Sequence, residues 1–338
     1  QAIVDDLTYS NITTGLVWDS ATDIYRRTGS SNFTLIQEQM KRCVLNANGS
    51  VNYFLDKHNS NFKSDGVTPS VLDGADGNVM VQIPKFYYKY TVVSTSKKIE
   101  ISQTPQTGFA VHPAFIKDAV EVDYRYYRAY EGFVDTGVLT SRSGLTPTRS
   151  IDLPTFRTYA VANGAGWHLT DWQLLHAVQI LYLTEFGTFN SQSVLGQGNS
   201  TGIDFGVTTG LSNSLGNGSS DASNGDWMSY RGIENFYADI WEFIDGINVS
   251  EREVFLNNDY NTFASGVFTG DYVSTGLTLP VSINSYIRDI NFGLDGFLFS
   301  NVVGASSSTY ITDGSFSSTG DRVFLHGGQA GNGPFNGV

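Results

Sequence analysis

Tyr237-Ala238-Asp239-Ile240-Trp241-Glu242-Phe243-Ile244-Asp245-Gly246 sets bulky aromatics beside carboxylates, and Arg322-Val323-Phe324-Leu325-His326-Gly327-Gly328-Gln329 places a glycine pair inside an apolar strand. Read as a strand, the first stretch turns Trp241 and Phe243 inward to a core, with Glu242 on the other face, where it ties down loop backbone. The glycine pair lets two backbones approach closely. Together the two stretches point to an elaborate fold that displays loops, and loops are where binding is built.

The totals agree. With 338 residues the chain is long enough for one large or two ordinary domains. A chain of this size buries about 75% of its unfolded surface and needs no staples. Cys43 stands alone, which rules out an intrachain disulfide and reads as a small buried hydrophobe. Charged residues make up 16%, against about 25% in an average domain, while glycine (36 residues) and aromatics (13%) are abundant. This is the profile of a loop-rich, extracellular-type β protein. The formal charge of −13 repels phosphate backbones and argues against nucleic-acid binding. No apolar run approaches about 18 residues, so no transmembrane helix and no membrane insertion are expected. No signal peptide is visible; the chain opens at Gln1 and stops at Val338 in a glycine-rich segment, which reads as trimming at both ends.

Residues 1–75 read as a β-rich region. Asn48-Gly49 makes a hairpin turn between Cys43 to Leu45 and Val51 to Leu55. Phe33 to Arg42 allows one or two helical turns, and Asn59 to Gly77 reads as a loop near a boundary. Val79 to Tyr90 reads as one strand with Pro84 at an edge or bulge. Val120 to Tyr130 reads as a long strand with Arg125 and Arg128 outward. Its tyrosines suit cross-strand pairing, or a sugar-stacking platform.

Two helices come next. The first spans Pro154 to Ala162, with Asp152 as cap and Asn163-Gly164 as stop. The second spans Asp171 to Phe186, capped by Thr170 and ended by Gly187. Leu174, Val178, Leu181 and Tyr182 mark its buried stripe, which leaves His176 partly exposed. Asn190 to Gly225 lacks periodicity and reads as a functional or disordered loop. Beyond Ile247 only short strands are visible: Val254 to Leu256, Tyr286 to Ile290, Gly296 to Phe299, and Arg322 to Leu325.

Arg157 to Gly164, Trp167-His168-Leu169-Thr170-Asp171-Trp172-Gln173, Asp239 to Phe243 and Val323 to Gln329 carry a resemblance in their order along the chain. They resemble the C-type-lectin fold as formylglycine-generating enzymes and phage tropism proteins have it. Gln82 to Tyr90, His112-Pro113-Ala114-Phe115, Leu181 to Gln192 and Ser229 to Phe236 resemble phage tail or fibre proteins. The resemblance covers residues 75–338 and implies an α+β, C-type-lectin-like domain (76–338) with two helices and short antiparallel sheets. The β-rich region 1–75 precedes it and docks on other virion proteins.

The function implied by the resemblance is that of a non-enzymatic virion protein, at a tail tip, fibre or appendage, binding a host-cell glycan or protein. The expected assembly is a homotrimer. By position in that family, the contacts fall on Trp227, Tyr230, Tyr286, Arg288, Phe299, Asn301, Gln329 and Asn332. Tyrosine, serine, asparagine and glycine are suitable residues for such a surface. Asp221, Asn224 and Asp226 offer hard oxygens for a structural Ca²⁺, and no other cofactor is expected. Two alternatives stand beside this: a decoration protein that binds only virion neighbours, and a metal-dependent oxidase. The oxidase needs a cysteine pair, and the five histidines lack close ligand spacing.

Overall fold

The computed structural model describes residues 13–29, 36–222, 224–292 and 298–338. Strand makes up 39% and helix 15%, and the described residues form seven small antiparallel sheets and three α-helices: α1 (Leu153–Val161), α2 (Trp172–Phe186) and α3 (Ser191–Leu195). The α+β, C-type-lectin-like expectation is therefore wrong; the fold is β-rich. Many strands are only two or three residues long, such as Ile116–Lys117 and Ile233–Glu234. Backbone pairing holds such strands, and they are too short for legible alternation, so they read as loop.

The core is organised by α2. The Asp171 carboxylate accepts from the Leu174 N–H at 2.8 Å and caps the helix, one residue later than the expected Thr170. Gly187, at φ 68°, stops it. Every residue of α2 but Gln179 and Phe186 is buried, so the helix is covered all round and has no single stripe. It packs on the Thr13–Asp19, Ser96–Ser102 and Glu242–Ser250 strands. Helix α1 is as expected, with Asp152 accepting from the Thr155 N–H at 2.8 Å and Pro154 in the first turn.

His176, expected to be partly exposed, is 3% exposed and belongs to a buried polar chain. The Ala114 N–H donates to His112 Nδ1 at 3.2 Å, which leaves the proton of a neutral ring on Nε2. His112 Nε2 then donates to His176 Nδ1 at 2.9 Å, and His176 Nε2 donates to the Tyr90 hydroxyl at 2.8 Å. Burial holds both rings neutral; it pushes His176 down to about 3 and, with His176 beside it, His112 well down.

Two sheets join the early chain to later segments. Thr13–Asp19 pairs with Ile24–Gly29 and Ser96–Ser102, and Lys41–Leu45 pairs with Val51–Phe54 and Asn78–Pro84. Hydrogen bonding in both sheets thus crosses residue 75. Gly49, at φ 79°, makes the Asn48-Gly49 turn. Cys43 is fully buried in the Lys41–Leu45 strand, and burial pushes its thiol up to about 12.

Val79 to Tyr90 is not one strand. Asn78–Pro84 and Tyr87–Val93 lie in different sheets, with the change at Pro84, which has no N–H for a ladder. Val120 to Tyr130 likewise divides into Val120–Glu121 and Tyr124–Arg128. Arg125, expected outward, is 8% exposed, because it pairs with the buried cap Asp171. Asn190 to Gly225 holds α3 and short 3-10 turns, with Ser200 and Ser212 fully buried. Gln37–Gln39 forms a single 3-10 turn, while Phe33 to Leu35 lie outside the described residues.

Towards the end, Val273–Thr278, Glu253–Leu256, Glu242–Ser250 and Arg322–His326 make a four-stranded sheet. Ser282–Phe292 is the centre of a three-stranded sheet with Leu298–Val303 and Ile311–Ser317. Gly296 and Phe297, read as the start of a strand, lie outside the described residues. Among the described residues no helix is long and apolar enough to cross a membrane.

Candidate functional site

Two left-handed residues, Ala238 (φ 70°) and Asp239 (φ 62°), turn the chain just before the Glu242–Ser250 strand begins. Trp241 therefore precedes the strand and escapes its alternation. It is 42% exposed, not the core residue its spacing suggested. Trp241 and Phe243 both line a cleft of about 760 Å³. That volume is within the usual range of ligand sites, about 300–1,000 Å³.

Segments from most of the length of the chain build the cleft. The apolar floor is the exposed side of a satellite core: Ala160 and Leu169, with Phe156 and Phe243 packed against them and Leu153 behind. The Phe156 and Phe243 rings lie 6.1 Å apart. The tight connection between α1 and α2 supplies Trp167, whose indole N–H donates to the Ala47 carbonyl at 2.8 Å. Tyr126 and Arg128 come from the Tyr124–Arg128 strand, and Phe205, 40% exposed, from the segment after α3. Asn78, Thr148, Asn163 and Gln329 add polar edges. The result is an aromatic-walled trough with hydrogen-bonding rims.

Its charged groups are held firmly. Arg128 Nε donates to Glu242 Oε2 at 3.0 Å, and its other nitrogens reach the Glu234 and Asn235 carbonyls at 2.8 and 2.9 Å. Arg125 donates to Asp171 Oδ2 at 2.7 Å, and Lys117 donates to the same oxygen at 3.1 Å. Burial alone would raise Asp171, but these two cations outweigh it and hold the carboxyl well below the usual range. Burial pushes His168 down to about 4, so the ring is neutral. Glu131, 2% exposed, is pushed well up by burial and by neighbouring Asp239. Arg149 is exposed and has no carboxylate partner among the described residues.

Of the expected contact residues, only Gln329 lines the cleft. Tyr230 is fully buried, its ring 5.0 Å from that of Tyr182 in the main core. Phe299 stacks on Trp172 at 6.5 Å, and Tyr286 stacks on Phe335 at 4.5 Å. Arg288 is exposed with its guanidinium 5.4 Å over Tyr310, and Asn301 is exposed. Trp227 is half-buried, and Asn332 precedes the 3-10 turn Gly333–Phe335. Tyr286, Arg288, Phe299 and Asn301 lie on the paired strands Ser282–Phe292 and Leu298–Val303, and like Trp227, Tyr230 and Asn332 they do not line the cleft.

Asp221 Oδ2 accepts from the Gln197 N–H at 3.2 Å, while Asn224 bonds to Asp226 on the exposed turn. Among the described residues no three histidines, cysteines or acids are placed to share a metal ion. The sequence reading missed Trp167, Trp241, Phe156, Phe205 and Arg149. The signal available was three aromatics next to glycine or acidic turns: Gly166-Trp167, Asp204-Phe205 and Asp239-Ile240-Trp241.

Compared with known proteins, the chain matches no family model, and no curated protein matches it.

Proposed function

We propose that this chain is a non-enzymatic attachment protein of a phage virion that binds a host-surface receptor in the Trp241 cleft. One observation carries the binding part: two tryptophans, one of them 42% exposed, flank a trough of about 760 Å³. An exposed tryptophan costs solvation unless a partner covers it, and tryptophan is the residue type most often found where binding energy concentrates. The virion part is supported by the tail-fibre-like segments at Gln82 to Tyr90, His112 to Phe115 and Ser229 to Phe236. The composition, low in charge and rich in glycine and aromatics, suits an extracellular surface.

The test is adsorption of labelled protein to a panel of bacterial strains, with Trp241→Ala as the variant. Adsorption should fall at least tenfold, with the thermal midpoint unchanged. Replacing residues 286–301 should leave adsorption intact. The reverse pattern would move recognition from the cleft to the terminal segments.

A further inference from the structure

The cleft differs in charge from the molecule around it. The chain carries a formal charge of −13, yet three arginines and only two glutamates line this trough. Arg128 and Glu242 neutralise one another. Arg125 shares the single carboxylate of Asp171 with Lys117, which leaves one positive charge in excess. Burial, with Asp239 beside it, pushes the Glu131 carboxyl well up and so disfavours its charged form. Arg149, at the rim beside Gly206, adds a further cation with no carboxylate partner among the described residues. Low-dielectric walls concentrate such an excess.

From this we infer that the ligand of the cleft is an acidic saccharide whose anionic group is met by Arg149. The inference rests on the binding role proposed for the cleft and specifies its ligand. A sugar ring has an apolar C–H face and a polar rim, and the trough offers the complement of both. Trp167, Trp241 and Phe243 give flat apolar surface; Asn78, Thr148 and Gln329 give polar edges. A guanidinium fork matches a carboxylate or a phosphate in plane, which an ammonium does not. Arg149 is free to do so, whereas Arg125 and Arg128 are already committed to carboxylates.

The experiment is titration calorimetry with four probes: a galacturonate oligomer, a phosphorylated malto-oligosaccharide, a neutral malto-oligosaccharide and a glutamate peptide. Wild type, Arg149→Gln and Trp241→Ala are compared, with thermal midpoints as the folding control. Binding of one or both acidic saccharides, at least tenfold weaker in Arg149→Gln and little altered for the neutral sugar, is the expected result. Which acidic oligomer binds names the anion as carboxylate or phosphate. Equal binding of neutral and acidic sugars, or no effect of Arg149→Gln, overturns the acidic ligand; sensitivity to Trp241→Ala would then still support the cleft. Preference for the glutamate peptide also overturns it. If no saccharide binds and Trp241→Ala changes nothing, the cleft reading falls as well.

Discussion

Arg42 carries one of the most demanding sites for a single side chain in this protein. It is completely buried. Its guanidinium donates to the Gly232 carbonyl at 2.6 Å, to Ser212 Oγ at 2.7 Å and to Ser60 Oγ at 3.1 Å, and lies 5.0 Å from the Tyr130 ring. One residue thus ties the early sheet to the segments before and after Met228–Tyr230. Arg42→Met keeps the stem volume but strands these acceptors, and should cost about 2–4 kcal/mol in urea unfolding. A loss below about 1 kcal/mol would mean that the acceptors find other donors. Asp313 makes a different prediction. Burial pushes its carboxyl up to about 7, against 3.8 when free. The folded state therefore holds a proton that the unfolded chain releases, and stability from this group falls as pH rises from about 4 to about 7. Asp313→Asn removes that slope, so its thermal midpoint relative to wild type should climb across this interval. A constant difference would contradict it. The buried histidines work the other way: His176 and His326, pushed by burial to about 3, withdraw stability as pH falls below 6.5. In Asp313→Asn one of the opposing slopes is gone, while Glu131, pushed well up by burial, still opposes the buried histidines.

Among the elements, α2 joins fold and site. Its cap Asp171 also fixes Lys117 and Arg125, the second of which borders the cleft, so a helix terminus sets the local electrostatics. Asp171→Ala removes the cap and strands a buried arginine, at a cost of about 3–5 kcal/mol. Gly187→Ala places a Cβ at φ 68° against the Arg27 side chain and should cost about 1 kcal/mol or more. Chemical denaturation of both variants checks the ranking, and equal losses would contradict it. Both helices were legible in the sequence because their caps and stops are local signals: Asp152 and Pro154 at one start, Gly187 at the other end. The strands were less legible. Val79 to Tyr90 looked continuous because each half alternates, and only the sheet assignment reveals the switch at Pro84. Trp241 was misread for a related reason, since alternation was extended to a residue that lies before the strand.

For the whole molecule, the decisive feature is one polar-rimmed cleft set against a continuous core that runs from Leu16 to Ile311. Because Trp241 lies outside that core, Trp241→Ala should change stability by no more than about 0.5 kcal/mol while removing binding. Acidic-ligand affinity should also weaken as salt rises, because the Arg149 contact is exposed to screening; salt-independent affinity would count against it. Residue order was enough for the locally encoded parts: the single buried thiol, the Asp152 cap of α1, the Gly187 stop of α2 and the Asn48-Gly49 hairpin. Each depends on residues within a few positions of one another. Three outcomes came only with the packed chain: that the described strands divide among seven small sheets rather than one α+β domain, that His176 and Arg125 are interior, and that Trp167, Trp241 and Arg149 share a trough. Those outcomes depend on pairings and burial between segments tens to hundreds of residues apart, and no local pattern records which surfaces such pairings leave uncovered.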